Sequence, residues 1–302
     1  MRITQSMLSR VGLDALSNQR NRLARTQEMA ATGLRVNRPS DDPVDYRTIL
    51  YLKDSLSQTG GFLRSIDLAR TRIRATEDAL SGTADAISRA KTKGLAAASS
   101  TNQSQSARDA LKVEVEQIFD EVLSYANVRA PGGGYVFSGL ASDQVSFVST
   151  GAFGPGTTPT VTFGGNTTAV EVEIDEGVYI DVTRDGQAAF QGATDVFAVL
   201  GQLWEGIDTG NNAQINAAVT SLDTAYDGMV LERAEIGGSE AKADSFEQRL
   251  RLQEQEFTSQ ISFLEDADAF EVYSDLTKQE AALQASLQVT SRLLTPTLLD
   301  YI

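Results

Sequence analysis

The chain has 302 residues, 41 acidic against 26 basic side chains (net charge −15), and neither cysteine nor histidine. That length allows more than one domain with its own core. The composition excludes disulfides, thiolate chemistry, histidine-based acid–base catalysis and nearly all zinc sites, and the acidity argues against nucleic acid as a partner.

The charge is uneven along the chain. Residues 1–75 carry 13 Lys and Arg against 7 Asp and Glu (+6), and residues 76–302 carry 13 against 34 (−21), which together give −15. A basic head of this kind could bind DNA or anionic lipid, but the expectation is that it pairs with acidic helices of the same chain or of neighbouring copies. The start, Met1-Arg2-Ile3-Thr4-Gln5, lacks the apolar core of a cleaved signal peptide. No run approaches the roughly 18 apolar residues of a membrane span. No membrane partner is therefore expected.

In chain order, residues 1–34 read as a helix with Leu16, Leu23 and Ala30 at heptad steps among Asn, Gln and Arg. So thin an apolar stripe cannot hold a helix alone, and the segment needs a partner. The stretch Ala31–Leu50, ATGLRVNRPSDDPVDYRTIL, reads as an ordered elbow. Gly33 closes the first helix, Pro39 and Pro43 forbid continuation, and Asp42-Pro43 starts the next helix with Asp45 near its positive end. Gly60-Gly61 then precedes a helix with Ile66, Ile73, Leu80 and Ile87 at steps of seven. A break over Ser99–Ser106 follows, and Ser106 with Asp109 opens a helix carrying Leu111, Val115, Ile118, Val122 and Tyr125 on one face.

From Pro131 the period becomes two and glycine is dense. Val170, Val172 and Ile174 alternate with acids, Val178, Ile180 and Val182 follow a Glu176-Gly177 turn, and Asp185-Gly186 reads as a further turn. Helical pattern returns near Asp195, and Ile215, Val219, Leu222, Tyr226 and Met229 form another stripe. From Ser239 one long helical pattern is expected, with Leu250, Ile261, Val272, Leu283 and Leu294 every eleven residues and Leu276, Leu287 and Leu298 in a second row. Pro296 should end it. The fold class is mainly α with a β-rich insert.

Motifs along the chain resemble the bacterial flagellin family. TG-x-R-[VI]-N-R-P-S-D-D-P-V is carried by Gly33, Arg35, Asn37, Arg38, Pro39, Asp41, Asp42 and Pro43. Met1–Thr4, Gly132–Gly139, Leu231–Gly237, Leu264–Asp268, Leu283–Leu287 and Leu299–Ile302 are similar to other segments of the family. The proline pair of the elbow resembles the hook–filament junction subunits, since filament flagellins usually lack it; a filament flagellin is the alternative, and an enzyme carried on a flagellin scaffold the distant one.

The resemblance implies terminal helices forming a coiled-coil core domain (1–42 and 256–302), a helical bundle (43–130 and 195–255) and an outer β-rich domain (131–194). It implies a structural subunit at the hook–filament junction that presents an assembly surface to flagellin. The expected partners are neighbouring copies in a ring, another hook-associated protein on the hook side, filament flagellin and an export chaperone. The expected location is the extracellular flagellum, reached without a cleaved signal peptide. The expected assembly seam is Leu16, Leu23, Ile261, Val272, Leu276, Leu283, Leu287 and Leu294, with the basic first helix facing the acidic stretch Glu265–Asp275.

Catalytic and ligand readings are weaker at each place. Gly132-Gly133-Gly134 lacks the Gly-Lys-Ser/Thr ending of a phosphate loop and reads as a flexible joint. Glu171, Glu173 and Asp175 read as the solvated face of a sheet rather than a calcium site. Asp41-Asp42 is explained by capping. No nucleophile–base constellation is present, so neither enzyme activity nor a cofactor or metal is expected.

Overall fold

The computed structural model describes residues 5–99 and 104–294. Met1–Thr4, Ser100–Gln103, Pro296, Leu298 and Leu299–Ile302, named above, lie outside the described residues. The elements in order are α1 (Gln5–Thr32), α2 (Pro43–Ala98), α3 (Gln105–Ala126), β1 (Phe147–Thr150), β2 (Thr160–Phe163), β3 (Glu171–Asp175), β4 (Val178–Asp181), α4 (Gly186–Gln191), α5 (Val196–Thr209), α6 (Asn212–Glu265) and α7 (Ala269–Leu294). The fold is mainly helical with a small β region. By internal contacts the chain divides into two units, one drawn from both ends (up to Gln58 and from Gln253) and one spanning Thr59–Leu252.

The central unit is built on helix seams that step by seven. In α2, Ile66, Ile73, Leu80 and Ile87 are buried, and in α6 Leu222, Met229, Ile236, Ala243 and Leu250 are buried at the same step. Antiparallel ion pairs lace these helices: Lys91 with Asp223, Arg233 with Glu77 at 2.6 Å, and Arg70 with Asp244 at 2.7 Å and with Glu247. Heptad spacing with flanking charges is the chemistry of a coiled-coil seam.

The β region is two hairpins. β1 pairs with β2 antiparallel, Phe147 opposite Phe163, and β3 pairs with β4, Val172 opposite Ile180, around the Glu176-Gly177 turn. They share a core with the helices. Phe147 of β1 lies 5.2 Å from Phe190 of α4 and 5.6 Å from Phe197 of α5, which in turn lies 5.6 Å from Phe119 of α3. The Asn127 side chain clips β1 to the end of α3, donating to the Phe147 carbonyl at 2.8 Å and accepting from its N–H at 2.9 Å.

Several local expectations are corrected. Gly60-Gly61 does not precede a helix but sits inside α2, where burial on either side of the pair outweighs a propensity cost of about 1 kcal/mol per glycine. The cap of α3 is Ser104, accepting from the Ala107 N–H, rather than Ser106. Asp185 is the N-cap of α4, accepting from the Gln187 N–H, rather than part of a hairpin turn. Tyr226 is 39 % exposed and off the core stripe.

The glycine run is a closed turn rather than a loose joint. Gly132, Gly133 and Gly134 all have φ between +85° and +98°, a region open to glycine alone. The Ala130 N–H donates to the Gly134 carbonyl at 3.0 Å, and the Arg129 guanidinium stacks on the Tyr135 ring and donates to its hydroxyl at 2.8 Å. The long C-terminal helix is also interrupted: α6 ends at Glu265, and α7 restarts behind Asp268, whose carboxylate accepts from the Phe270 N–H at 2.8 Å.

Candidate assembly surface

The unit formed by the two ends of the chain carries the elbow and most of the predicted seam. α1 and α7 lie antiparallel, because their contacts pair low numbers with high ones. Gln19 donates to the Gln279 carbonyl at 3.3 Å, Thr26 donates to the Gln279 side chain at 3.0 Å, and Gly12 faces Thr290. α1 is the principal partner of α7. The helix that cannot bury its own stripe is therefore covered by the last helix of the chain.

The elbow is held side chain by side chain. Gly33 takes φ +73° and donates its N–H to the Met29 carbonyl at 2.8 Å, ending α1. Asn37 donates to the Thr32 hydroxyl at 2.9 Å. Asp41 accepts from the Arg38 N–H at 2.9 Å, and Arg38 reaches Glu28 at 2.7 Å. Asp42 accepts from the N–H groups of Val44 and Asp45 at 3.0 and 3.1 Å, capping α2 with Pro43 as its first residue. Those backbone bonds, the one from Asp45 foremost, hold the Asp42 carboxyl below its ordinary pKa, with the nearby Arg35 adding to the effect. Pro39 lies between these clasps.

Arg35 ties the elbow to the end of α6. Its guanidinium meets Asp45 at 2.5 Å and donates to the Leu264 carbonyl at 2.6 Å. The backbone follows: Arg35 N–H donates to the Glu265 carbonyl at 2.7 Å, Ala267 N–H donates to the Gly33 carbonyl at 2.9 Å, and Leu34 bridges Asp266. Lys53 of α2 reaches Glu265 at 2.6 Å. Val36, Ile49 and Leu52 are buried beside this crossing. Neither Lys53 nor Leu264 was marked as a partner by spacing, since no periodicity joins positions more than two hundred residues apart. The break at Asp266-Ala267-Asp268 did have a signal: Asp268 followed by Glu271 is the Asp-x-x-Glu pattern of a helix start.

The seam residues divide by exposure. Val272 is buried, and Leu16, Leu23, Ile261, Leu276 and Leu283 are half-buried. Leu287 is 42 % exposed. Leu294 ends α7, and its side chain lies outside the described residues. Other large apolar groups of this unit are more open, among them Val11 at 66 %, Phe263 at 85 % and Phe270 at 89 %.

The electrostatic expectation is corrected. The acidic stretch is met by Lys53, which pairs with Glu265, while the elbow's Arg35 pairs with Asp42 and Asp45 and reaches only the Leu264 carbonyl beside it; Arg10, Arg20, Arg22 and Arg25 of α1 make no ion pair among the described residues. α1 and α7 meet instead through half-buried apolar groups and the Gln–Thr bonds. Among the described residues no group of acids could hold a metal ion, and no helix is long and apolar enough to cross a membrane.

Comparison with known proteins bears on the whole chain. The bacterial flagellin N-terminal helical region matches residues 3–142, and the bacterial flagellin C-terminal helical region matches residues 219–302. Flagellar hook-associated protein 3 of Salmonella typhimurium is 25 % identical over 311 residues, covering 95 % of each chain. Its Escherichia coli counterpart is 24 % identical over 310 residues, again with 95 % of each chain covered. Among solved structures, a flagellar hook-associated protein from Vibrio parahaemolyticus is similar in fold, with a TM-score of 0.66, 19 % identity, and 74 % of this chain and 99 % of that chain covered. The flagellar junction protein FlgL from Legionella pneumophila gives a TM-score of 0.60 at 12 % identity, covering 72 % and 100 %.

Proposed function

This chain belongs to the bacterial flagellin family, and from that premise we propose that it is a subunit of the hook–filament junction, presenting to flagellin the surface on which the filament starts. It is a structural protein of the flagellum, not an enzyme, and it assembles with other flagellar components. The observation that carries the junction reading is similarity to hook-associated protein 3 over 95 % of the chain, both ends included.

In this reading copies of the chain form a ring, with another hook-associated protein on the hook side and flagellin on the other. The chain is exported with a chaperone for its passage and works outside the cell. Residues 1–42 and 256–302 form the inner coiled coil, 43–130 and 195–255 the bundle, and 131–194 the outward part. The seam is Leu16, Leu23, Ile261, Val272, Leu276, Leu283, Leu287 and Leu294, and the elbow sets its register. Half-covered apolar groups along α1 and α7 support this, because a surface that stops short of burying its stripe gains by meeting a neighbour.

The test is a strain lacking the gene, viewed by electron microscopy with a blot for flagellin in the medium. Bare hooks with monomeric flagellin shed into the medium are expected. Normal filaments would remove the proposed role, and hooks with little or no shed flagellin would make the chain the filament subunit. Within the protein, Leu287→Asp places an unpaired charge in the seam. That variant should lose swimming and filament attachment while its circular dichroism stays that of the wild type; full swimming would sink the seam.

A further inference from the structure

We propose that Asn166, in the loop between β2 and β3, is an acceptor for an N-linked sugar, so that the exposed side of the β region carries a glycan. Asn166-Thr167-Thr168 places a hydroxyl residue two positions after an asparagine with no proline between, the spacing that N-glycosylating enzymes read. Asn102-Gln103-Ser104 shares it, but Asn102 and Gln103 lie outside the described residues. None of the other asparagines has Ser or Thr at that position.

Such a triplet also arises by chance; here the local geometry adds to it. Asn166, Thr167 and Thr168 are all exposed. The Asn166 Oδ1 accepts from the Thr168 N–H at 2.7 Å, which closes an Asx turn. The Asn166 Nδ2 and the Thr168 hydroxyl make no hydrogen bond among the described residues. The nitrogen that would take the sugar is therefore steadied through its partner oxygen and left open to solvent. The backbone beneath is seated closely. The Asn166 N–H donates to the Ser138 carbonyl at 3.0 Å, and a Cβ at Gly139 would stand 2.6 Å from the Thr168 carbonyl oxygen.

The chemistry suits these surroundings. A neutral amide nitrogen is a poor nucleophile, and a hydrogen bond on Oδ1 favours the negative charge that builds there as Nδ2 loses a proton. The donor is a glycosyl diphosphate, on a nucleotide or a lipid carrier. In the transfer, Nδ2 gives one proton to a base of the transferase and bonds to the anomeric carbon. The bond from that carbon to the diphosphate breaks, and the diphosphate leaves with the electron pair. Residues 144–170 carry no charged side chain, in a chain of net charge −15, so no acid of that stretch repels the anionic donor.

The full-length chain is purified through an added tag from the bacterium that makes it, and its intact mass is compared with that of the unmodified 32.5 kDa chain. The expected result is an increment of one sugar or one oligosaccharide, mapped to Asn166 by electron-transfer fragmentation. A single sugar points to the nucleotide carrier and a preassembled oligosaccharide to the lipid. Asn166→Asp and Thr168→Val should each lose the increment completely, and Thr168→Ser should keep it. Aspartate still accepts from the Thr168 N–H, and valine still donates its own, so the turn survives in both variants and its distortion cannot explain the loss. Thermal melts check that the fold is unchanged.

A wild-type chain of unmodified mass overturns the proposal. So does a sugar carried only at Asn102, on a serine or threonine hydroxyl or on a lysine, and so does an increment that survives Thr168→Val. None of these outcomes depends on whether the chain sits at the junction or in the filament, so the junction role and the glycan fail separately.

Discussion

Two glycines in long helices show how one missing methyl can have opposite meanings. A Cβ at Gly82 of α2 would stand 2.5–2.9 Å from three ring atoms of Tyr125, so the helices meet there only because the side chain is absent. At Gly237 of α6 an added Cβ would meet nothing within 4 Å. Gly82→Ala should therefore destabilise the central unit by about 1–3 kcal/mol, through overpacking against a stiff ring. Gly237→Ala should stabilise it by about 0.5–1 kcal/mol, the ordinary gain from relieving a glycine in a helix. Urea unfolding of the two variants beside the wild type checks both signs. Sequence spacing treats these glycines alike; only the neighbour across the seam separates them.

Between elements, the α2–α6 seam joins apolar heptads to charge. Arg70 bonding holds the Glu247 carboxyl below its ordinary pKa, with Arg251 adding to it, and both partners of the Arg70–Glu247 pair are under a fifth exposed. A lowered folded-state value means that the stabilisation is complete above the unfolded glutamate value of about 4.3 and is lost as pH falls through the folded value. Glu247→Gln should cost about 1 kcal/mol at pH 7, and its difference from wild type should shrink on acidification below about pH 4.3. A constant difference from pH 7 to pH 3 in thermal melts would contradict that assignment. The α2 half of this seam was legible, because Ile66, Ile73, Leu80 and Ile87 repeat without interruption. The α6 half was obscured: Gly237-Gly238 and the small Ala243 thin the row, and Leu250 also fits the eleven-residue row that runs on through Ile261 and Val272. The β3–β4 hairpin was legible through its alternation and Glu-Gly turn, whereas β1–β2 gave no signal. The elbow's caps could be read from sequence, but its bonds to Leu264 and Glu265 could not, because hydrogen bonds from Arg35 to a distant backbone leave no local trace.

For the whole molecule, the two units differ in what holds them. The central unit has a continuous core of rings and aliphatics from all its elements, while the unit of the chain ends, among the described residues, buries few large groups, Val36, Ile49, Leu52 and Val272 among them. A thin core opens more easily. Brief trypsin digestion should cut first within α1 and α7, at Arg20, Arg22, Arg25 or Lys278, and leave a resistant fragment near Thr59–Leu252. Equal resistance of both units would contradict the burial argument. The antiparallel pair also has a consequence in time. Its bonds join positions as many as 260 residues apart, so a chain made from the N-terminus onward completes its entire middle before the partner of α1 exists. The first helix made is then among the last to find its place. A ribosome-stalled chain ending before Ala269 should hold a folded middle and an unpartnered first helix, and adding the remaining residues should order both ends together.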